Sequence, residues 1–189
     1  MKSTSSQISG VLNIGVCGLG TVGRGTVELL LNNAKQIERR LGYALTISHA
    51  VTRTLDANRK TLLDSCGEIQ VGTDPFAVVK DPQVQIVVEA MGGYDPAFEV
   101  VKQALSNGKH VVTANKALIA EHGNELFPVA EQNNVNLAYE SSVAAGIPII
   151  KVLREGLAAN EIDWVAGIIN GTGNFILTEM AARQRKFEV

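Results

Sequence analysis

Val11-Leu-Asn-Ile-Gly-Val-Cys-Gly-Leu-Gly-Thr-Val-Gly23 is the stretch that decides the fold of this chain. A short apolar run leads straight into Gly18-x-Gly20-x-x-Gly23, and a helical pattern follows at once. Each glycine has its own mechanical task in such a turn. Gly18 closes the tight strand-to-helix corner, Gly20 lets a pyrophosphate approach the backbone, and Gly23 brings helix and strand together. The anion then sits on the helix N-terminus, where free N–H groups and the macrodipole favour negative charge. Glycine-rich turns also end strands for steric reasons alone. Strand before and helix after turn the pattern into a dinucleotide fingerprint.

Beyond the turn, Val22, Val27, Leu30, Leu31, Ile37 and Leu41 recur at helical spacing, which predicts one helix from Val22 to about Arg40. Leu45 to Val51 reads as a second strand, as a βαβ unit requires. A polar, turn-rich stretch follows, then one or two helical turns over Pro75 to Lys80. Gln85 to Glu89 is a short apolar strand ending in the glycine loop Met91-Gly-Gly-Tyr94. Asp95-Pro96 is expected to open a helix, Asp95 as cap and the proline at its first position, ending at Asn107-Gly108. His110 to Thr113 is a strand running into Ala114-Asn-Lys116. A helix from about Gly123 to Asn133 and a strand from Val135 to Tyr139 complete the series. Repeated βα units with short connections predict an α/β fold with a doubly wound parallel sheet.

After the sheet, Gly146 to Ala159 reads as a proline-containing turn and a helix, Trp164 to Asn170 as a strand, and a helix starts near Asn174. The roughly 40 residues past the sheet are fewer than an ordinary domain needs. The expected organisation is a dinucleotide-binding domain over residues 1–150 and the start of a second domain over 151–189. Trp164, Val165, Ile168 and Ile169 lack a complete partner layer, which suggests an oligomer.

At 189 residues, 46% of them hydrophobic, the chain can bury a core and is not of disordered composition. A net charge of −2 with mixed signs marks no nucleic-acid or anionic membrane surface. Cys17 and Cys66 make neither a disulfide framework nor a zinc spacing, and Cys17 reads as a small buried hydrophobe. No run approaches the ~20 apolar residues of a membrane span, and Met1 to Gly10 has no signal-peptide core. A cytoplasmic protein is expected.

Ligands on such sheets bind outside the carboxyl ends of the strands. That rule brings the Gly18–Gly23 turn, Arg53, the Met91–Tyr94 loop and Asn115-Lys116 to one expected crevice. Arg53 stands where an acidic residue would bind the ribose hydroxyls of NAD and an arginine the 2′-phosphate of NADP. No acid occupies Thr52 to Leu55, which favours NADP; Arg53 is also readable as a plain exposed arginine, and Asp56 could swing in. Lys116 could steer a substrate carboxylate or stabilise charge on a carbonyl oxygen. Tyr139-Glu-Ser-Ser-Val-Ala-Ala-Gly-Ile-Pro148 joins a carboxylate to small residues whose carbonyls suit a hard cation. By composition alone a close-packed hinge is the better reading. His49, His110 and His122 make no metal spacing and are given no catalytic role.

Several blocks together resemble homoserine dehydrogenase. They are Gly18-Leu-Gly-Thr-Val-Gly23, Val87-Val-Glu-Ala-Met-Gly-Gly93, Val112-Thr-Ala-Asn-Lys116, Tyr139 to Pro148, and Gly167-Ile-Ile-Asn-Gly-Thr172. The resemblance spans nearly the whole chain. It implies a Rossmann-type domain followed by the start of an α+β substrate and dimerisation domain. The implied reaction is the reversible, NADP- or NAD-linked reduction of aspartate semialdehyde to homoserine, a step toward threonine, methionine and isoleucine. By position, Leu19, Thr21 and Val22 would contact the dinucleotide with Gly18, Gly20 and Gly23, and Gly92 and Gly93 belong to the same cofactor set. Lys116 matches the family lysine beside cofactor and substrate. Glu140, Val143, Ala145 and Ile147 match a monovalent-cation site, such as one for Na+, against the hinge reading from composition. Gly171 and Thr172 would lie near the nicotinamide. The family's substrate-amine and proton-transfer residues follow this block, so the chain is expected to be the cofactor part of a homodimeric or larger enzyme, inactive alone. Two other readings stay open: a non-catalytic NADP-binding or association module, and the same enzyme class with another substrate.

Overall fold

The computed structural model describes residues 10–144, 146–168, 170–184 and 186. Strand β1 (Val11–Cys17) sits inside a six-stranded sheet with β2 (Ala44–Val51), β3 (Gln70–Gly72), β4 (Ile86–Glu89), β5 (His110–Thr113) and β6 (Leu137–Ala138). The order is β3-β2-β1-β4-β5-β6, and every neighbouring pair is parallel. Strand order reverses between β1 and β4. That point of reversal is where a doubly wound sheet opens a crevice.

Alternation along the strands feeds two cores. Ile14 and Val16 of β1 and Val88 of β4 join Val27, Ile47, Ala50 and Leu63 on one face. Cys17 and Val87 point the other way, into a larger cluster with Val100, Val101, Leu105, Leu118 and Leu126. Period-two side chains thus bury both faces of β1 and β4, as a sheet covered by helices requires. On β5, Val111 is buried whereas Val112 is 39% exposed, so cover is complete on one face only there.

The first face is covered by α1 (Thr21–Asn32) and α3 (Ala57–Asp64), and the second by α4 (Pro75–Lys80), α5 (Ala97–Ser106) and α6 (Lys116–Gln132). The single helix expected from Val22 to Arg40 is two, α1 and α2 (Ala34–Leu41), because Asn33 leaves helical geometry and bonds its side chain back to the Leu29 carbonyl. Helix α2 then ends on Gly42 at φ 79°, a left-handed stop. In the polar stretch after β2, Asp56 caps α3 by accepting from the Arg59 amide at 2.8 Å. Leu62 and Leu63 supply that helix's apolar face.

Helix α5 starts at Ala97 with Pro96 as its cap, one position later than Asp95 and proline were expected to set it, and no side chain caps it. Helix α6 begins at Lys116, seven residues before the expected Gly123, since Asn115 Oδ1 accepts from the Leu118 amide at 3.1 Å. This is an N-cap bond.

The chain divides into two compact units, the second running from Ile147. It contains a short helix α7 (Ile149–Lys151) that widens into a π turn over Val152–Gly156, and helix α8 (Gly171–Arg183). Asn170 caps α8 through Oδ1 to the Gly173 amide at 2.7 Å. The strand expected from Trp164 to Asn170 is absent among the described residues. Trp164, Val165 and Ile168 are exposed, Trp164 at 77%, Ile169 lies outside the described residues, and a strand without a neighbour has no partner for its N–H and C=O groups. No described helix is long and apolar enough to cross a membrane.

Candidate dinucleotide site

The cleft at the strand reversal encloses about 340 Å³. Gly18, Leu19, Gly20, Thr52, Arg53, Arg59, Met91 and Gly92 are among its lining residues. The β1–α1 turn is fixed by steric fit. Gly18 adopts φ 102°, and a Cβ there would fall 2.5 Å from the Ala90 carbonyl oxygen. A Cβ on Gly23 would lie 1.8 Å from the Gly18 carbonyl oxygen, so α1 rests directly on the turn. Above Gly20 there is nothing within 4 Å. Gly20 is also the N-cap of α1 and has no side chain with which to cap it. Open space over an uncapped helix start suits a phosphate group and not a side chain.

Leu19 is buried and belongs to the core, yet its carbonyl faces the cleft and accepts from Arg59 Nε at 2.9 Å. Thr21 and Val22 are exposed on the first turn of α1. Arg53 lies exposed at the end of β2. Arg59 is the cation that the sequence reading missed. Its Nη1 bonds Asp56 Oδ2 at 2.7 Å and the Thr54 carbonyl at 3.2 Å, which anchors the guanidinium on the cleft wall. Asp56 is engaged by this pair and by its cap and points to Arg59 rather than standing free at the cleft. The signal for Arg59 was Asp56 three residues ahead of it, a cap spacing hidden in a stretch read as turns.

The opposite wall, from Met91 to Gly93, is held by hydrogen bonds. Glu89 is wholly buried at the end of β4. Its Oε1 accepts from the amides of Met91 at 2.8 Å and Gly92 at 3.3 Å, and its Oε2 from the Thr113 hydroxyl at 2.6 Å. Asn115 Nδ2 donates to the Gly93 carbonyl at 2.6 Å. Gly92 lines the cleft; Gly93, Asn115 and Lys116 do not. Of the four segments expected to converge, three line the cleft, and the fourth, Asn115-Lys116, does not reach it but is tied to the flanking loop by the Asn115–Gly93 bond.

Lys116 is exposed in the first turn of α6. A cation is disfavoured there by the helix dipole. Cys17, behind the turn, is pushed up to about 12 by burial, with the carboxylates of Glu89 and Asp74 adding to the shift. It remains a thiol, as its reading as a small hydrophobe requires.

Glu140 and Val143 share the 3₁₀ turn Glu140–Ser142 and its exit, with the Val143 amide bonded to the Glu140 carbonyl at 3.1 Å. Ala145 lies outside the described residues, and Ile147 is exposed at the start of the second unit. Among the described residues no three His, Cys, Asp or Glu side chains cluster as metal ligands. Gly171 and Thr172 form the first turn of α8. His49 is buried against Asp81 at 3.3 Å, and His110 Nδ1 accepts from the Asn136 amide at 3.0 Å. His122 pairs with Glu125 at 2.9 Å, so all three histidines have local partners.

Residues 18–140 match the homoserine dehydrogenase NAD binding domain, and residues 148–189 match the homoserine dehydrogenase domain that follows it. The chain is 50% identical over 176 residues to homoserine dehydrogenase of Pseudomonas aeruginosa, covering 93% of the chain and 39% of that protein. It is 51% identical to that of Neisseria gonorrhoeae, covering 93% of the chain and 40% of the relative. Among solved structures, a homoserine dehydrogenase from Thiobacillus denitrificans superposes with a TM-score of 0.80 at 50% identity, over 93% of this chain and 40% of that one. A hyperthermophilic archaeal homoserine dehydrogenase mutant in complex with NADPH superposes at 0.73 and 32% identity, over 91% of this chain and 57% of its own. The chain therefore spans about 40% of the length of the curated relatives it matches, and it belongs to the homoserine dehydrogenase family.

Proposed function

We propose that this chain is the NADP(H)-binding part of an enzyme that interconverts aspartate semialdehyde and homoserine. The observation that carries the reading is the cleft over Gly20, open above an uncapped helix and flanked by Arg53 and Arg59. In it the pyrophosphate rests on the amides of Thr21 and Val22, beside Gly18, Leu19 and Gly23. Arg53 and Arg59 take the 2′-phosphate, since a guanidinium fork matches phosphate oxygens. The NADPH complex of the archaeal relative supports the choice of cofactor, with NAD as the alternative ligand.

When bound, the nicotinamide supplies or accepts the hydride at the substrate carbon. Gly92 and Gly93 leave room for its ribose. Lys116 holds a positive charge toward the carbonyl oxygen, where negative charge grows during reduction; one such donor is worth about 10² to 10³ in rate. Its unfavourable place at a helix N-terminus has a reason if an anionic substrate offsets the helix dipole. Glu140, Val143, Ala145 and Ile147 hold a monovalent cation such as Na+, and Gly171 and Thr172 border the nicotinamide. Residues 1–150 form the cofactor domain, and 151–189 open a substrate and dimerisation domain. Exposed Trp164, Phe175 and Leu177 suit a homodimer, and the protein works in the cytoplasm on a small-molecule substrate.

Isothermal titration with NADPH and NADH tests the reading. Binding of both, with Arg53→Ala costing roughly tenfold toward NADPH and little toward NADH, is the expected result, because one charge-assisted phosphate contact is removed. Folded protein that binds neither would refute it.

A further inference from the structure

Glu89 is the last residue of an otherwise apolar strand, Ile86-Val-Val-Glu89, and is wholly inaccessible to solvent. A buried carboxylate is costly to desolvate, and no described cation pairs with it. A valine would complete the strand without that cost. What the carboxylate gains instead is three donors: the Met91 and Gly92 amides on one oxygen and the Thr113 hydroxyl on the other. Thr113 in turn accepts from the Asn115 amide at 3.0 Å, and Asn115 Nδ2 holds the Gly93 carbonyl. Ser142, from the turn that contains Glu140, donates to the Thr113 carbonyl at 2.9 Å. The carboxylate is thus the hub of a network that fixes three consecutive residues of one loop from the ends of two strands.

That loop lies on the β4 side of the strand reversal, whereas Arg53 and Arg59 lie on the β2 side. A dinucleotide that straddles the reversal must place its adenosine half toward the arginines and its other half over Met91–Gly93. We propose that Glu89 is a positioning residue: acting through the Met91 and Gly92 amides and through Thr113, it shapes the wall that receives the nicotinamide half of the cofactor. This rests on the dinucleotide reading above. Gly92 and Gly93 both take positive φ, at 72° and 73°, so the loop has backbone freedom that the carboxylate restrains.

The test is titration of the whole chain and its Glu89→Gln, Thr113→Val and Thr113→Ser variants with NADPH and with adenosine 2′,5′-bisphosphate, which carries only the adenosine half. Glutamine replaces one acceptor oxygen by an NH2 group, so the Thr113 hydroxyl can no longer donate there and must accept instead, which strands its own proton, and the charge is removed; valine breaks the link outright; serine keeps it. Glu89→Gln and Thr113→Val are expected to weaken NADPH binding about tenfold while changing the bisphosphate less than about twofold, with Thr113→Ser close to the parent. A general loosening would weaken both ligands alike, and that result overturns the proposal. Variants that bind NADPH as the parent does overturn it too. If Glu89→Gln does not fold, the valine and serine pair at Thr113 decides alone. A parent chain that binds neither ligand would instead refute the dinucleotide reading itself.

Discussion

The two walls of the cleft are built by different physics. The β1–α1 turn is held by exclusion: Gly18 and Gly23 press backbone on backbone at distances where no side chain fits. The β4 loop is held by attraction, through a buried carboxylate, a threonine and an asparagine drawn from two strand ends. Steric exclusion is local and leaves glycines at fixed spacing. Polar attraction is long-range in sequence, with Glu89 and Thr113 separated by 24 positions, and leaves no pattern. A site can therefore be half written in a motif and half hidden.

The largest effect that would break this contrast belongs to Gly23→Ala. Its Cβ meets a carbonyl oxygen rather than a flexible side chain, so chemical denaturation should show a loss of about 3 kcal/mol, the upper end of overpacking costs. Gly20→Ala, three residues earlier, has open space. Its stability should stay within about 1 kcal/mol, since a lower unfolded-state entropy and a poorer cap oppose each other. NADPH affinity should nonetheless fall as the methyl group enters the pyrophosphate space. Equal stability losses at the two glycines would erase the distinction drawn between them.

On the polar wall, Thr113→Val should cost about 1 to 3 kcal/mol by leaving a buried carboxylate oxygen and the Asn115 amide without partners. Asn115→Ala, which removes the cap of α6 and the hold on Gly93, should cost about 1 kcal/mol. In a double mutant the two costs should fall short of their sum, because both residues serve one network.

A smaller effect lies behind the turn. The Cys17 thiol keeps its proton in the folded protein to about pH 12, against an ordinary value of 9.0 when unfolded. Between these values the folded state binds more protons, so stability falls as pH rises above 9.0, by at most ~1.4 kcal/mol per pH unit. Lys109 opposes this: burial lowers its ammonium, and up to the ordinary 10.5 the unfolded state binds more protons, so its contribution rises with pH. Thermal melts of the parent and of Cys17→Ala from pH 8 to 11 should diverge, with the variant gaining stability relative to the parent as pH rises above 9.0. Parallel curves would contradict the burial account.

Much of the sheet was legible because its signals are local. Apolar runs located β1, β2, β4 and β5, and the stretch from Pro75 to Lys80 was read as helical turns, which the Asp74 cap and Pro75 of α4 explain. Elements whose reasons are tertiary were not. Helix α3 is weakly amphipathic and is anchored by Arg59 reaching the Leu19 carbonyl, 40 positions away. The start of α6 turned on reading Asn115 as a cap rather than as part of a loop. Trp164 to Ile168 have strand-like composition, but composition cannot supply the neighbour that a strand needs. At the site, Gly18, Gly20 and Arg53 stood out by type and place, whereas Glu89 lay unremarked inside a quoted block. Its one warning was an acid in an apolar strand.

The most direct measurement is a ¹H–¹⁵N correlation spectrum of the chain titrated with NADPH. The account predicts that the largest shifts fall on both walls together, at Gly20–Gly23 and Met91–Gly93, with Arg53 and Arg59 moving as well. Shifts confined to residues away from the strand reversal, or no shifts in a well-dispersed spectrum, would contradict it.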